Sequence, residues 1–387
     1  MTKRRRLEKK ALAGDPVAQF ELAEQYWNRR RPDKRRAVFW CRRAADQGHA
    51  EAQWMLGCSL MNGEGSRRDT EAGIDWFRRA AAQGLPAAQR CLAQALYYHG
   101  RETNDPDESS KWYMKAARKG DAEAQAEVAD IYMLRGTMRK NGIRLAWYRK
   151  AVYWYRKSAE QGFVHGQLGL ADCYKDGLGV PRSRREAFRW EKKAAEQGDA
   201  DAQVSVGYAL FYGEGVRRDT PEALRWYHRA ARQGHDGAMF NIGLMYMHGD
   251  GVAKSWTRAI HWFERAAKQD HSGALHWLGR IYGGQEDYPA NPTKAVPYLK
   301  RAAKGYDRDS QCRLGVAYMN GEGLRKNYRL AAHWYRQAAV TGDSWACYLL
   351  GLCYRDGEGV PNSLRWARHW WKKAAADGVK EAEKLLE

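Results

Sequence analysis

The sequence has no unbroken apolar run of eighteen residues, and its mean hydropathy is -0.78, which excludes a membrane-spanning helix. Its first residues, MTKRRRLEKKALAG, carry charge but no apolar stretch behind it, so they do not read as a secretory signal and a cytoplasmic location is expected. Catalytic signatures are missing as well. There is no G-x-S-x-G elbow, no S-x-x-K, no H-E-x-x-H and no phosphate-binding P-loop. The glycine-rich stretches read GEGV and lack both the third glycine and the preceding strand of a dinucleotide site. Eleven histidines are scattered, and His271 and His276, five apart, fall off one helical face, so no metal site is expected. The expectation is a protein without catalysis, cofactor, metal or small-molecule substrate.

Acidic residues are in deficit. Sixty-six Lys and Arg stand against 46 Asp and Glu, a net charge of +20. Residues 1–50 hold fourteen basic and six acidic residues, so this first eighth carries two fifths of the excess. Such a field attracts acidic proteins, nucleic acid and anionic headgroups alike. Basic clusters at Lys3–Arg6, Arg29–Arg36 and Arg139–Lys150 lie near Trp27 and Trp147, a charge-plus-stacking pattern that suits single-stranded nucleic acid. Against that reading, Arg42/Arg43 and Arg78/Arg79 recur at one place in a periodic pattern, where a solvated helix face is the simpler explanation.

What the chain has in abundance is tryptophan in register. Trp40, Trp76, Trp112, Trp154, Trp190, Trp226, Trp262, Trp334 and Trp370 each precede a pair of alanines, with Ser158-Ala159 in that place after Trp154. They recur every 36 residues, with one interval of 42 and with Tyr298 filling the one vacant place. Ten units follow, beginning near Asp15, His49, Leu85, Asp121, Phe163, Asp199, His235, His271, Asp307 and Asp343.

One unit, Asp199 to Gly234, shows how each should fold. Ala202, Val206 and Leu210 keep a four-residue spacing and mark the apolar stripe of a first helix, A. Gly213–Gly215 then break it, and Asp219 or Thr220 can cap a second helix, B, with Pro221 in its first turn. Helix B carries Ala223, Trp226, Ala230 and Ala231 and ends at Gly234. A hairpin of this kind cannot bury its own stripe, whereas stacked neighbours can. Ala23, Gly57, Ala93, Ala129, Ala171, Gly207, Gly243, Gly279, Gly315 and Gly351 form a column of small residues in helix A. Glycine within a helix costs about 0.5–1 kcal/mol relative to alanine, so its recurrence implies close approach by a partner helix. The periodic Trp are expected to be core, opposite these small residues.

The pattern predicts an all-α solenoid of about ten 36-residue hairpins. It divides into a basic segment at 1–14, ten repeats over 15–378 and a capping helix at 379–387. Six of the seven cysteines (Cys58, Cys91, Cys173, Cys312, Cys347 and Cys353) fall in helix A, and no C-x-x-C pair exists, so buried free thiols are expected. Irregular loops interrupt the array at NRRRPDKRR, HGRETNDPDES, RGTMRKNGIRLAWYRK and GGQEDYPANPT, the places where function tends to concentrate.

Fragments such as HAEAQWMLG, GEGV, WFRRAAAQG, WYHRAARQG and WYRQAAVTG resemble the Sel1-like repeat, a relative of the tetratricopeptide repeat, over nearly the whole chain. The resemblance implies a right-handed α/α superhelix with helix A side chains on a concave face, and a monomeric scaffold or adaptor. It offers, as an alternative, an immunity protein that neutralises a secreted phospholipase-type effector. Family members rich in cysteine stitch each repeat with a disulfide, but the paired cysteines are missing here. Projecting the related repeat's groove positions selects Phe20, Trp27, Trp54, Met61, Tyr97, Tyr208, Phe211, Phe240, Met247, His276 and Tyr348. Aromatic and Met side chains are the types enriched at interaction hot spots and adaptable surfaces. The expected partner is a protein, either acidic or a secreted effector, gripped by Phe20, Trp54, Tyr208, Phe211, Phe240 and Tyr348; nucleic acid is the lesser alternative.

Overall fold

A computed structural model describes residues 3–99, 106–138, 143–284 and 286–387. Among these residues there are 22 helices and no strand. A helix at Lys3–Leu12 is followed by ten hairpins and a short helix at Lys380–Lys384. The helices group into two compact units, Met1–Gly198 and Asp199–Glu387, each with five hairpins. The basic N-terminal segment is thus helical and packed: Ala11 is fully buried beside Ala18, Leu22 and Ala37.

Capping follows the sequence. Asp199 Oδ1 accepts from Ala202 N at 2.8 Å, and Asp219 Oδ1 accepts from Glu222 N at 2.9 Å. Gly213 ends helix A at φ +76°, in the left-handed region where glycine bears no Cβ penalty. The second glycine of several G-x-G loops, among them Gly65, Gly179, Gly323 and Gly359, has a further reason. At Gly359 (φ +75°), a Cβ would lie 2.0 Å from the carbonyl oxygen of Tyr328, at the start of the preceding repeat's helix B. That loop presses directly onto its neighbour's backbone.

The hairpin core corrects the sequence reading by one residue. Of the periodic Trp, only Trp226 and Trp370 are buried. The others are half-buried, and the deep position is the next residue along: Phe77, Tyr113, Tyr155, Tyr227, Phe263, Leu299, Tyr335 and Trp371. These side chains are the first thing the small-residue column accommodates, with helix B backbone close behind: a Cβ on Gly57 would lie 3.2 Å from Gly73 O and one on Gly315 3.3 Å from Ala331 O. A Cβ on Gly57 would sit 2.6 Å from the Phe77 ring, and one on Gly243 would sit 2.5 Å from that of Phe263. In the fifth repeat the deep place is taken by Glu191, which is buried and bonded to Lys175 Nζ at 2.9 Å.

Six of the periodic Trp, of which Trp226 and Trp370 are buried and the others half-buried, lie under a cation from the next turn. Arg79, Lys115, Lys193, Arg229, Arg265 and Lys373 lie 3.8–4.6 Å from the ring centroids of Trp76, Trp112, Trp190, Trp226, Trp262 and Trp370. Each such pair contributes about 0.5–1 kcal/mol where exposed. The second basic residue of the repeated pair lies over an indole while remaining on the solvated face of helix B.

Successive repeats are locked by buried glutamines. Gln19, Gln53, Gln89, Gln125, Gln167 and Gln311 each donate Nε2 to the carbonyl of an alanine eight residues earlier, at 3.0–3.4 Å. That alanine belongs to the preceding helix; for Gln19 it is Ala11 of the N-terminal helix. A second glutamine, at the end of the repeat's own helix B, donates back to the first. Gln47 reaches Gln19, Gln83 reaches Gln53, Gln161 reaches Gln125 and Gln197 reaches Gln167, each at 2.8 Å. Two repeats keep the first glutamine but not the second: Lys119 and Thr341 stand there instead. The Oε1 atoms of Gln89 and Gln311 are accordingly buried without a hydrogen-bond partner.

An unsatisfied buried acceptor costs about 1–3 kcal/mol. Thr341→Gln is therefore expected to raise stability by about 1 kcal/mol, read as a higher thermal midpoint by circular dichroism. An unchanged or lower midpoint would show that the Gln311 carbonyl gains nothing from a donor.

Candidate functional site

The proposed surface residues occupy three successive places along helix A, and the structure treats the three places differently. The first bridges adjacent repeats. Phe20 stacks on His49 at 4.8 Å and Phe240 on His271 at 4.6 Å between ring centroids. His276 Nδ1 lies 2.7 Å from Asp307 Oδ2, and Trp54 Nε1 donates to Cys91 Sγ at 3.3 Å. Each is half-buried against the next repeat's helix A. Tyr348 is half-buried too, 5.0 Å from Trp345, and its carbonyl accepts from Trp371 Nε1. These residues hold the array together as well as facing outward.

At the other two places the outcome is mixed. Met247 is only 3% exposed and belongs to the core, so it is not presented to a partner. Trp27 is half-buried with Lys34 Nζ 5.5 Å from its ring, and Met61 covers Gly73 of its own hairpin. Tyr208 is 47% exposed and stands 4.5 Å from Tyr212, which is 59% exposed and in edge contact with half-buried Phe211. Arg218 lies over the Phe211 ring at 5.6 Å. Tyr97 and Tyr98, in edge contact at 5.2 Å, are 67% and 63% exposed. Tyr98, Tyr212 and exposed Trp345 were missed. The first two sit one residue past the third place, at the helix end, where their ring pairing was the available signal.

The eighth repeat opens a cavity of about 400 Å³ within Asp199–Glu387. Here Leu299 stands where most other repeats carry an aromatic ring, and Gly283 occupies the third helix A place. The missing bulk leaves a hollow lined by Leu299, Gly283, Cys312, Val316, Arg313 and Trp345. It is large enough for a single side chain or small molecule.

Several histidines prove to be helix caps. Nδ1 of His49, His235 and His271 accepts from Ala52 N, Ala238 N and Ala274 N at 3.4, 3.2 and 3.2 Å. Desolvation lowers the His271 pKa, with Asp236 opposing and His235 adding to the shift. Among the described residues no three His, Cys, Asp or Glu side chains converge to hold a metal ion. No described helix is long and apolar enough to cross a membrane.

The basic clusters are partly engaged. Arg29 covers Tyr26 at 4.2 Å, Lys34 pairs with Glu64 at 2.8 Å and Arg4 with Glu8 at 3.0 Å. Residues 139–142 of the third basic cluster, residues 100–105 of the loop beginning at His99, and Gln285 lie outside the described residues.

These features define an all-α protein of tandem helical hairpins, with aromatic residues exposed on helix A. The chain belongs to the Sel1 repeat family, whose pattern matches ten successive segments: 16–49, 50–85, 86–121, 122–163, 164–199, 200–235, 237–271, 272–307, 308–339 and 346–379. Repeats of this family are generally protein-interaction scaffolds. A similar solved structure is c5321, a protective antigen of uropathogenic Escherichia coli with an SLR fold. It is 31% identical, covers 100% of this chain and 82% of its own, and superposes with a TM-score of 0.79. A Sel1 repeat protein from Oxalobacter formigenes is 29% identical over 90% of each chain, with a TM-score of 0.49. Comparison with curated protein sequences gives no match.

A pH dependence follows from the cap at His271. Its pKa is lowered in the fold, so its contribution is complete above the ordinary value near 6.5 and is lost as pH falls through the lower folded value. His271→Asn keeps a capping acceptor that does not titrate. The stability difference between variant and wild type should therefore shift in the variant's favour by about 1 kcal/mol between pH 7.5 and pH 5, the worth of one cap. Urea melts at both pH values check this, and parallel curves would refute it.

Proposed function

We propose that this protein is a non-catalytic scaffold that holds a protein partner against the exposed aromatic side chains of its helix A surfaces. The observation that carries the reading is the Tyr208, Phe211 and Tyr212 cluster, with two of its three rings open to solvent. Exposed rings that pack on one another within a single helix do not bury the apolar area they could. They meet the description of a hot spot awaiting a partner, with large area and few torsions to freeze. Arg218 beside Phe211 adds a charge that favours an acidic or carboxylate-bearing segment. The hollow next to Trp345 offers room for an anchoring side chain within the same compact unit.

The first-place residues Phe20, Trp54, Phe240 and His276 have a lesser part in this reading, because their faces are spent partly on the junctions between repeats. The reading therefore centres on Tyr208 and Phe211 from the original set and adds Tyr212.

Tyr208→Ala together with Phe211→Ala is expected to weaken partner capture at least about tenfold while leaving the circular-dichroism melt nearly unchanged. A photo-crosslinking residue at position 212 should yield a discrete protein adduct, and one at exposed Val340 should not. A lowered melt with undiminished capture would assign the two rings to the fold instead.

A further inference from the structure

All seven cysteines are free, and five of them are buried. Burial raises the thiol pKa of Cys41, Cys173, Cys312 and Cys353 to about 12 and pushes that of Cys347 up as well. Such groups are inert packing. Cys58 and Cys91 differ in exposure and in pairing. They are half-buried and lie on the helix A segments Ala50–Asn62 and Pro86–His99 of successive repeats. Across the junction the Cys58 thiol is a hydrogen-bond partner of the Cys91 sulfur. Both line one open cavity of about 370 Å³, together with Met61, Phe77 and Tyr98. This gives a small reagent a path to the pair.

The surroundings of the pair are asymmetric. Cys91 Sγ also accepts from the indole Nε1 of Trp54 at 3.3 Å, and Arg90 is its chain neighbour. Its pKa is brought down to about 7, first by the Cys58 hydrogen bond, then by Trp54 and Arg90, against the opposing desolvation. Cys58, the donor of that bond, is pushed up. One sulfur is thus biased toward the thiolate, with a second thiol on the same cavity.

We propose that Cys58 and Cys91 form a peroxide-sensitive dithiol site, in which Cys91 is oxidised first and Cys58 closes a disulfide that welds the second repeat to the third. In the first step the Cys91 thiolate attacks one oxygen of hydrogen peroxide. The S–O bond forms, the O–O bond breaks, and the departing hydroxide takes a proton and leaves as water. In the second step the Cys58 sulfur attacks the sulfenic sulfur. The S–S bond forms, the S–O bond breaks, and hydroxide departs as water with the Cys58 thiol proton. Two thiols and one peroxide give one disulfide and two waters: the sulfurs lose two electrons and the peroxide gains them. An accessible, low-pKa cysteine beside a resolving thiol is the arrangement that peroxide chemistry requires. The consequence is mechanical, because the bond crosses a junction otherwise held by the glutamines and by Trp54.

The test uses the full chain, reduced and then exposed to stoichiometric hydrogen peroxide, with mass spectrometric mapping of every cysteine. The expected product is a Cys58–Cys91 crosslink, formed before any oxidation of the buried thiols. Cys58→Ser should trap a dimedone-reactive sulfenic acid at Cys91, and Cys91→Ser should give no such adduct at Cys58 at the same dose. Iodoacetamide should label Cys91 at pH 7.4 at least about tenfold faster than Cys173, and Trp54→Phe should slow that labelling. No crosslink in the wild-type chain, or a Cys91 rate equal to that of Cys173, overturns the proposal whatever the variants do. Equal dimedone adducts in the two serine variants overturn the assignment of Cys91 as the attacking sulfur.

Discussion

A primary carboxamide sealed inside a protein must find both its donors and its acceptor new partners, or the fold forfeits the hydration it gave up. In this chain that demand is met across the boundary between neighbouring hairpins, by an alanine carbonyl on one side and a second glutamine on the other. Apolar burial alone tolerates sliding, since one methyl is as good as the next, whereas a buried amide accepts only one register. The same demand explains why the N-terminal helix docks as it does: it supplies to Gln19 the carbonyl that a preceding repeat would otherwise supply. Where Met239 or Leu275 stands in the glutamine's place, no amide has to be satisfied and shape fills the junction instead, while Cys347 Sγ still reaches the alanine carbonyl eight residues earlier at 3.8 Å.

With register held from within, the outer face of helix A has two competing uses. Side chains near its start are drawn into neighbouring repeats by rings, imidazoles and carboxylates that lie within reach. Near its end, Tyr97, Tyr98 and Tyr212 remain in the open. In the proposed reading, recognition therefore falls to the helix termini. This division follows from where the next repeat makes contact, and has nothing to do with which residue types are present.

The hairpins, their breaks and their period were legible in the sequence because they depend on local chemistry: glycine at a left-handed turn, aspartate at a cap, apolar residues at helical spacing. What escaped was phase. One residue turns a helix face by about 100°, enough to move Trp76 to the surface and put Phe77 in its place. The motif spelled out both glutamines, yet nothing in a single chain marks a polar residue as buried until its partners, some thirty residues away, are seen beside it. Histidine as a cap was hidden for a similar reason, since only the direction of Nδ1 distinguishes His271 from a surface imidazole. At Met247 side-chain type pointed outward, and packing placed it inside.

The buried Glu191 in the fifth repeat imposes an order on how this chain can change. Lys175 is nearly half exposed and, if its partner were lost, could turn to water and to Asp172. Glu191 has no such exit: take the lysine away first and a carboxylate is left stranded among apolar neighbours. A lineage restoring the aromatic ring that most other repeats carry must therefore replace the acid before the base. History can pass through that hairpin in one direction and not in the other.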